Sequence, residues 1–461
     1  MFNRFSRRRL LRGGLMATAS VTFLPCVTRH VLGANEKLNI AGIGAGGKGA
    51  VDVPCCATEN IVALADPDSN NAAAMFKRFD KAEKFADYRV MFDKLGKTID
   101  AVTISTPDHH HAPASLMAMR LGKHVYCQKP LSHSILEARI MAKVAKQMKV
   151  VTQMGNQGHN HSGTRRLVEL IQGGVLGQVK EVHIWTDRAG DIWPQGDRAL
   201  AAMKEGENKP CPAHVDFDLW LGPRDPRQHK YNPAYLPFRW RGFWDFGTGA
   251  IGDMGCHNMD LAFWSLKLRD PIAAEAEASD HHVEVAPRWA VVVLYFPQRG
   301  DLAPCKVVWY EAGKKPDPSL VKEKVLPRNG TIMIGEKDTL YVPHYWGDGR
   351  FLSGAKTADF ASIPVTLPRM EGSEHEANID QNHHTEWLHA IKANDPSKAM
   401  SNFDYAGPMT EAALLGNVAI RAKAKIEFDS KGLEVIGNQR ATRFVHNLNM
   451  YRKGWDLGRI N

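Results

Sequence analysis

From Lys37 to Met154 short apolar runs alternate with amphipathic stretches. The runs are Leu38–Ile43, Ile61–Ala65, Ala101–Ile104, His124–Cys127 and Val150–Gln153. Between them lie helix-like segments, Gly47–Ala57, Ser69–Phe79, His110–Leu121 and Ser134–Gln147. Strand and helix in regular alternation predict a doubly wound parallel sheet covered by helices on both faces. After Gly155 the texture changes. One amphipathic helix is expected at Gly163–Gln172. Strands are then expected at Val179–Trp185, Ile272–Ala278, Ala290–Phe296, Lys306–Tyr310, Gly330–Ile334 and Thr339–Val342. From Ile272 these strands follow one another without helices, which predicts a large, mostly antiparallel open sheet in an α+β domain. Asp187–Phe246, rich in Pro, Gly, Trp and Arg, reads as long loops fit to hold a binding site, and residues 313–327 and 346–379 as further surface loops. Two helices, Asn382–Ala393 and Pro408–Ala424, close the chain. The expected division is a leader at 1–34, an α/β domain at 35–156 and an α+β domain at 157–461, whose last helices are free to pack back on the first domain.

The chain has 461 residues, 44% of them hydrophobic and 24% charged, an ordinary globular composition. Its formal charge of +9 suggests nucleic acid until its distribution is considered. Six arginines and no acid lie in residues 1–34, which leaves only +3 on the rest. No basic stripe remains to track phosphates, so nucleic acid is not an expected partner. The leader itself reads Ser6-Arg7-Arg8-Arg9-Leu10-Leu11-Arg12, then an apolar stretch from Gly13 to Pro25. Twin arginines before a short apolar run are the pattern of a twin-arginine export signal, with a cut expected near Ala34. The apolar stretch is too short to span a bilayer stably. An exported, periplasmic protein is therefore expected. A basic disordered terminus and a lipoprotein cysteine at Cys26 are weaker readings. The remaining six cysteines form no framework and are expected as free thiols.

Gly44-Ala45-Gly46-Gly47-Lys48-Gly49 follows the first strand and opens a helix. In G-x-G-x-x-G, Gly44 allows the tight turn, Gly46 the approach of a pyrophosphate, and Gly49 close helix–strand packing. Asp66 ends the second strand 22 residues after Gly44, where an acid binds adenosine ribose hydroxyls. A carboxylate there repels a 2′-phosphate, which favours NAD over NADP. A helix cap in Asp66-Pro67-Asp68 is the blander role.

Other segments join this loop: Ser105-Thr106-Pro107-Asp108-His109-His110-His111, Cys127-Gln128-Lys129-Pro130, and Gly252 to Asp260 with Asp253 and His257. Together they resemble the glucose-fructose oxidoreductase, inositol dehydrogenase and rhizopine-catabolism family, Gfo/Idh/MocA, over nearly all of the chain beyond the leader. The resemblance implies a Rossmann NAD domain and a sugar or polyol substrate. It places Lys129, which matches the lysine of a Glu-Lys-Pro motif, near the nicotinamide, although Gln128 stands where the family has Glu. It implies cofactor contacts from Gly44, Gly46, Gly47, Lys48, Gly49, Asp66, Ser105, Thr106, Pro107, His111, Gln128, Lys129 and Asn156. Asp253 and His257 match its aspartate and histidine four apart, a spacing that puts both on one helix face. Alcohol oxidation releases a proton with the hydride. His257 is the expected base, with Lys129 and Asp253 orienting the substrate oxygen and tuning the imidazole.

Trp193, Gln195, Arg239, Trp240, Arg241 and Trp244 combine flat apolar faces with polar donors, which suits sugars, and His159 lies just past the sixth strand. These are the expected substrate contacts, with a core role for the tryptophans an equal alternative. Asn156 and Gln157 are similarly placed. The runs His109–His111, His281–His282 and His383–His384 point in diverging directions, so no metal is expected.

Outside the cytoplasm no dependable pool of free NAD exists, so a cofactor loaded before export and recycled in place is expected. Two closed cycles satisfy this. One is the paired oxidation and reduction of sugars. The other is a redox-neutral glycoside cleavage by oxidation, elimination, water addition and reduction, for whose base Tyr231 and Tyr235 are undiscriminated candidates. A non-catalytic sugar-binding protein is the reading of another class. The open sheet is the family's usual assembly surface, so a homo-oligomer is expected.

Overall fold

A computed structural model of the chain describes residues 36–189, 192–280, 282–447, 451–455 and 457. The leader, its twin arginines and Cys26 lie outside these residues.

The first part alternates as its apolar runs dictate: β1 (Asn39–Ile43), α1 (Gly49–Cys55), β2 (Asn60–Ala65), α2 (Ala73–Arg78), β3 (Glu83–Phe85), α3 (Tyr88–Leu95), β4 (Ala101–Ile104), α4 (Asp108–Arg120), β5 (His124–Cys127), α5 (Ile135–Met148) and β6 (Thr152–Met154). The six strands pair in parallel in the order β3-β2-β1-β4-β5-β6. This is the doubly wound order, with its crevice between β1 and β4. Every residue of β4 is buried, as a strand covered on both faces requires. A capping box fixes the start of α5: Ser134 Oγ accepts from Glu137 N, and the Glu137 carboxylate accepts from Ser134 N. The three-residue β3 carries too little apolar pattern to be read in advance.

The second part contains α6 (Ser162–Gln172), β7 (Val179–Thr186), α7 (Asp197–Gly206), α8 (Phe217–Leu221), α9 (Gly249–Asn258), α10 (Asp260–Ser265), β8 (Ala273–Ala278), β9 (Ala290–Phe296), β10 (Cys305–Glu311), β11 (Asn329–Gly335), β12 (Thr339–Val342), β13 (Arg350–Phe351), α11 (Ile379–Lys392), α12 (Phe403–Ala422), β14 (Ile426–Asp429), β15 (Glu434–Val435) and α13 (Gln439–His446). Nine strands form one open sheet, β13-β12-β11-β7-β10-β9-β8-β14-β15, antiparallel except where β7 meets β10. Strand β9 alternates buried and half-buried residues, the signature of a one-sided sheet. The stretch read as loops, Asp187–Phe246, holds α7 and α8.

The last helices return to the first domain. Arg139 of α5 makes two bonds, 2.8 and 2.6 Å, to the Glu411 carboxylate on α12, and Gln381 of α11 donates to the Cys55 carbonyl at the end of α1. The six described cysteines are all free. No described helix is long and apolar enough to cross a membrane.

Candidate active site

A cleft of about 500 Å³ opens at the carboxyl ends of the parallel strands, where doubly wound sheets bind ligands. One wall carries Gly44, Gly46, Gly47, Lys48, Asp66, Ser105, Thr106, Pro107, Gln128 and Lys129. The other carries Arg188, Trp240, Arg241, Asp253 and His257. Gly44 has φ +82°, and a Cβ there would stand 2.6 Å from the Ser105 carbonyl oxygen. A Cβ at Gly49 would stand 2.0 Å from the Gly44 oxygen. Gly49 thus serves loop packing and does not line the cleft. Among the described residues, the N–H groups of Gly47 and Lys48 have no partner, which leaves them to an anion at the start of α1.

The Asp66 carboxylate is more occupied than the sequence implied. Its Oδ2 accepts from Ala45 N and Gly46 N, at 2.9 and 3.1 Å, and its Oδ1 accepts from Asp68 N. It braces the glycine loop while still lining the cleft. Neither aspartate caps α2, whose N-cap is Ala72 without a side-chain bond; Asp68 Oδ1 accepts from Asn70 N and Asn71 N and closes the turn before that helix.

Asp52, fully buried on α1, ties the cofactor wall together. It accepts from Ser105 Oγ at 2.7 Å and from Gln128 Nε2 at 2.9 Å, and Lys48 Nζ lies 3.1 Å away. Lys48 also reaches Asp380 of α11 at 2.5 Å. Burial would lower the Lys48 pKa, but Asp52 and Asp380 outweigh it and raise it. The Gln128 amide explains the departure from Glu-Lys-Pro, because a Glu here would set a second carboxylate against Asp52.

Lys129 therefore finds its counter-charge across the cleft. Its Nζ donates to Asp253 Oδ1 at 2.7 Å and to the Asp253 carbonyl at 2.9 Å. Arg241 Nε donates to the same Oδ1 at 2.9 Å, its guanidinium lying over Phe238 and Trp240 at 3.9 and 4.2 Å. Burial alone would raise the Asp253 carboxyl, yet Lys129, Arg241 and Arg188 hold it far below the usual carboxylate range. Burial lowers the Lys129 pKa against the pull of Asp253. Asp253 and His257 share a face of α9, but the carboxylate bonds to the two cations and not to the imidazole. Burial, then the Lys129 charge, push His257 well below its ordinary value, so its ring is neutral and able to accept a proton. Behind this group, buried Asp108 accepts from Thr248 Oγ1 at 2.7 Å, and burial raises it to about 7.

Several expected contacts lie elsewhere. His111 stands between the carbonyls of Pro130 (2.6 Å) and Thr106 (3.0 Å), so it braces two strand-end loops from behind the cleft. Asn156 and His159 turn into the core, both onto Asp260, and the His159 ring stacks 3.7 Å from Trp264. Of that run only Gln157 lines the cleft. Trp193 is buried and donates to Gln195 Oε1, and Gln195 in turn donates to the Pro287 carbonyl. Trp244 is buried with Arg421 over its ring, and Arg239 is exposed on the surface. Of the expected substrate residues, Trp240 and Arg241 line the cleft. Neither Tyr231 nor Tyr235 does, and Tyr235 packs in a core with Trp220 and Phe246. His109 and His110 are tied to the Trp220 carbonyl.

The structure adds residues that periodicity does not reveal. Arg188 lines the cleft just beyond β7. Tyr345, and Trp346 at the start of a stretch read as surface loop, lie 5.9 and 5.6 Å from the His257 ring. A strap over residues 211–221 crosses the carboxyl end of β2. Asp216 N donates to the Pro67 carbonyl and Ser69 N to the His214 carbonyl, and His214 Nδ1 lies 2.9 Å from Asp68. The strap brings Leu219 and Trp220 over the cleft, and Trp455, 3.8 Å from the Arg89 guanidinium, joins them.

The chain is 30% identical to the D-glucoside 3-dehydrogenase of Escherichia coli over 159 residues, which is 34% of this chain and 44% of that protein. It is 30% identical to the 2,7-anhydro-N-acetylneuraminate hydratase of the same organism over 111 residues, 24% of this chain and 29% of that one. It thus spans less than half the length of either relative. In fold it is similar to the WlbA dehydrogenase of Bordetella pertussis, solved with NADH and UDP-GlcNAcA. The TM-score is 0.60 at 14% identity, covering 86% of this chain and 99% of that one. Residues 38–156 match the oxidoreductase family's NAD-binding Rossmann fold and residues 161–322 its C-terminal alpha/beta domain. The chain belongs to the Gfo/Idh/MocA oxidoreductase family.

Proposed function

We propose that this protein oxidises a hydroxyl of a sugar, sugar derivative or polyol with a NAD that it holds tightly and recycles in place. The observation that carries the reading is one cleft in which a glycine loop faces Lys129, Asp253 and His257. NAD, when bound, supplies the hydride acceptor. Lys129, held by Asp253, donates a hydrogen bond to the substrate oxygen, and neutral His257 takes the hydroxyl proton. Trp240, which lines the cleft, offers a ring to a sugar. Asp66, Asp68 and Asp87 line the adenosine end, and their charges disfavour a 2′-phosphate, which favours NAD over NADP. The strap supports a resident cofactor. In this reading the chain is exported through its twin-arginine leader, works in the periplasm and assembles as a homo-oligomer.

A redox-neutral glycoside cleavage on the same residues is the second reading, favoured by the strap and by a hydratase among the relatives. Sugars and their glycosides are assayed with and without added NAD. Net reduction of free NAD marks the oxidoreductase, and glycoside cleavage without it marks the closed cycle. His257→Ala abolishes either activity; full activity in that variant sinks the assignment.

A further inference from the structure

We infer that the sugar taken by this cleft carries a carboxylate, and that Arg188 is the residue that binds it. The inference rests on the reading of the cleft as a sugar site. Three cations meet at its reacting end, Lys129, Arg241 and Arg188, and each acts on the charge of Asp253. Two are spent, since Lys129 and Arg241 both donate to Asp253 Oδ1. Arg188 is not. Its Nη1 lies 3.5 Å from the Met254 sulfur, a weak acceptor. Its Nε is buried without a hydrogen-bond partner, and no carboxylate among the described residues forms an ion pair with it. The side chain is half-buried and lines the cleft.

Neutral His257 adds no charge, and Asp108 stands behind Thr248. Among the described residues, the end of the cleft therefore carries an excess of positive charge that a neutral sugar leaves unanswered. A guanidinium presents parallel N–H donors that match the two oxygens of a planar carboxylate, and such a bond is stronger than one to a hydroxyl. Tyr345, close enough to feel the Arg188 charge, stacks edge-on with Trp346 at 3.9 Å. Phe238 and Trp240 line the same cleft as the guanidinium. A uronic acid, with its ring on the aromatics and its carboxylate on Arg188, uses both features.

The test measures binding of matched pairs to the NAD-loaded protein by titration calorimetry: glucuronate against glucose, galacturonate against galactose, with glucose 6-phosphate as a third arm. Reduction of bound NAD is followed in parallel. At least one acid is expected to bind about 10- to 100-fold more tightly than its neutral partner. Arg188→Met brings that ratio to about one, and Arg188→Lys, which keeps the charge and loses the fork, retains part of it. Equal binding of acid and neutral sugar, an unchanged ratio in Arg188→Met, or a preference for the phosphate overturns the inference. Acid-selective binding without reduction of NAD upholds it and counts against the oxidation reading. Oxidation of neutral and acidic sugars alike does the reverse.

Discussion

Replacing Asp253 by Asn removes one charge and leaves two cations facing each other. The carboxylate is the hydrogen-bonded partner of both Lys129 and Arg241, at 2.7 and 2.9 Å, with all three side chains nearly enclosed. Orphaning a buried charge in this way costs about 3–5 kcal/mol, a large share of the roughly 5–15 kcal/mol that holds a typical domain together. The pH dependence has a definite sign. Burial lowers Lys129, and Asp253 is the influence that opposes it. Without that influence the folded pKa falls further below the unfolded value of about 10.4. Between those two values the unfolded chain binds more protons, so stability rises with pH. Urea unfolding of wild type, Asp253→Asn, Lys129→Met and the double variant, at pH 7 and about pH 9.5 in the same excess of NAD, tests this. Asp253→Asn regains more stability at the higher pH than wild type does. The double variant is better than the sum of the singles by about 2 kcal/mol, because one orphaned cation is gone. Additivity within about 0.5 kcal/mol, or a variant that weakens further as pH rises, refutes the pairing.

Gln128→Glu sets a carboxylate where an amide now donates to Asp52. Two buried carboxylates so close cannot both ionise, so the variant loses about 2–4 kcal/mol and binds NAD more weakly. Asp52→Asn in the same chain recovers most of the loss, as denaturation and NAD titration will show, whereas an unaffected single variant contradicts the role of Asp52. Acid should destabilise the fold. Burial lowers seven enclosed histidines, His109, His110, His111, His133, His257, His383 and His384. Each gains its proton in the unfolded chain near pH 6.5 and in the folded chain only at lower pH. Four acids, Asp66, Asp108, Glu137 and Glu311, are raised by burial and act the other way. The lowered histidines outnumber the raised acids, so stability falls as the pH drops below about 6.5. Unfolding midpoints measured from pH 7.5 down to 5 should drop, and a flat profile contradicts the reading.

The architecture was legible because its signals are local. Short apolar runs and Gly44-x-Gly46-x-x-Gly49 fix the parallel sheet and its binding loop. Lys129, Asp253 and His257 came from the family resemblance, since their spacing alone fits a capped helix with a core histidine equally well. For Asn156 and His159 a position past a strand end suggests the cleft, while a distant acid, Asp260, draws both into the core. Trp193 and Trp244 have the composition of a sugar site, but composition does not distinguish a wall from a core. The match of Gln128 to Asp52 joins residues 76 apart. Arg188 reaches the cleft, and Tyr345 and Trp346 the His257 ring, from loops whose course depends on the whole fold, so no periodicity marks them.

The central claim is a resident NAD facing Lys129, Asp253 and His257, and it is tested most directly by purifying the protein without added cofactor, denaturing it and assaying the supernatant for NAD(H). The account predicts NAD(H) stoichiometric with the chain. A protein that comes out empty and also fails to bind added NAD contradicts it, and leaves a sugar-binding relic of an oxidoreductase.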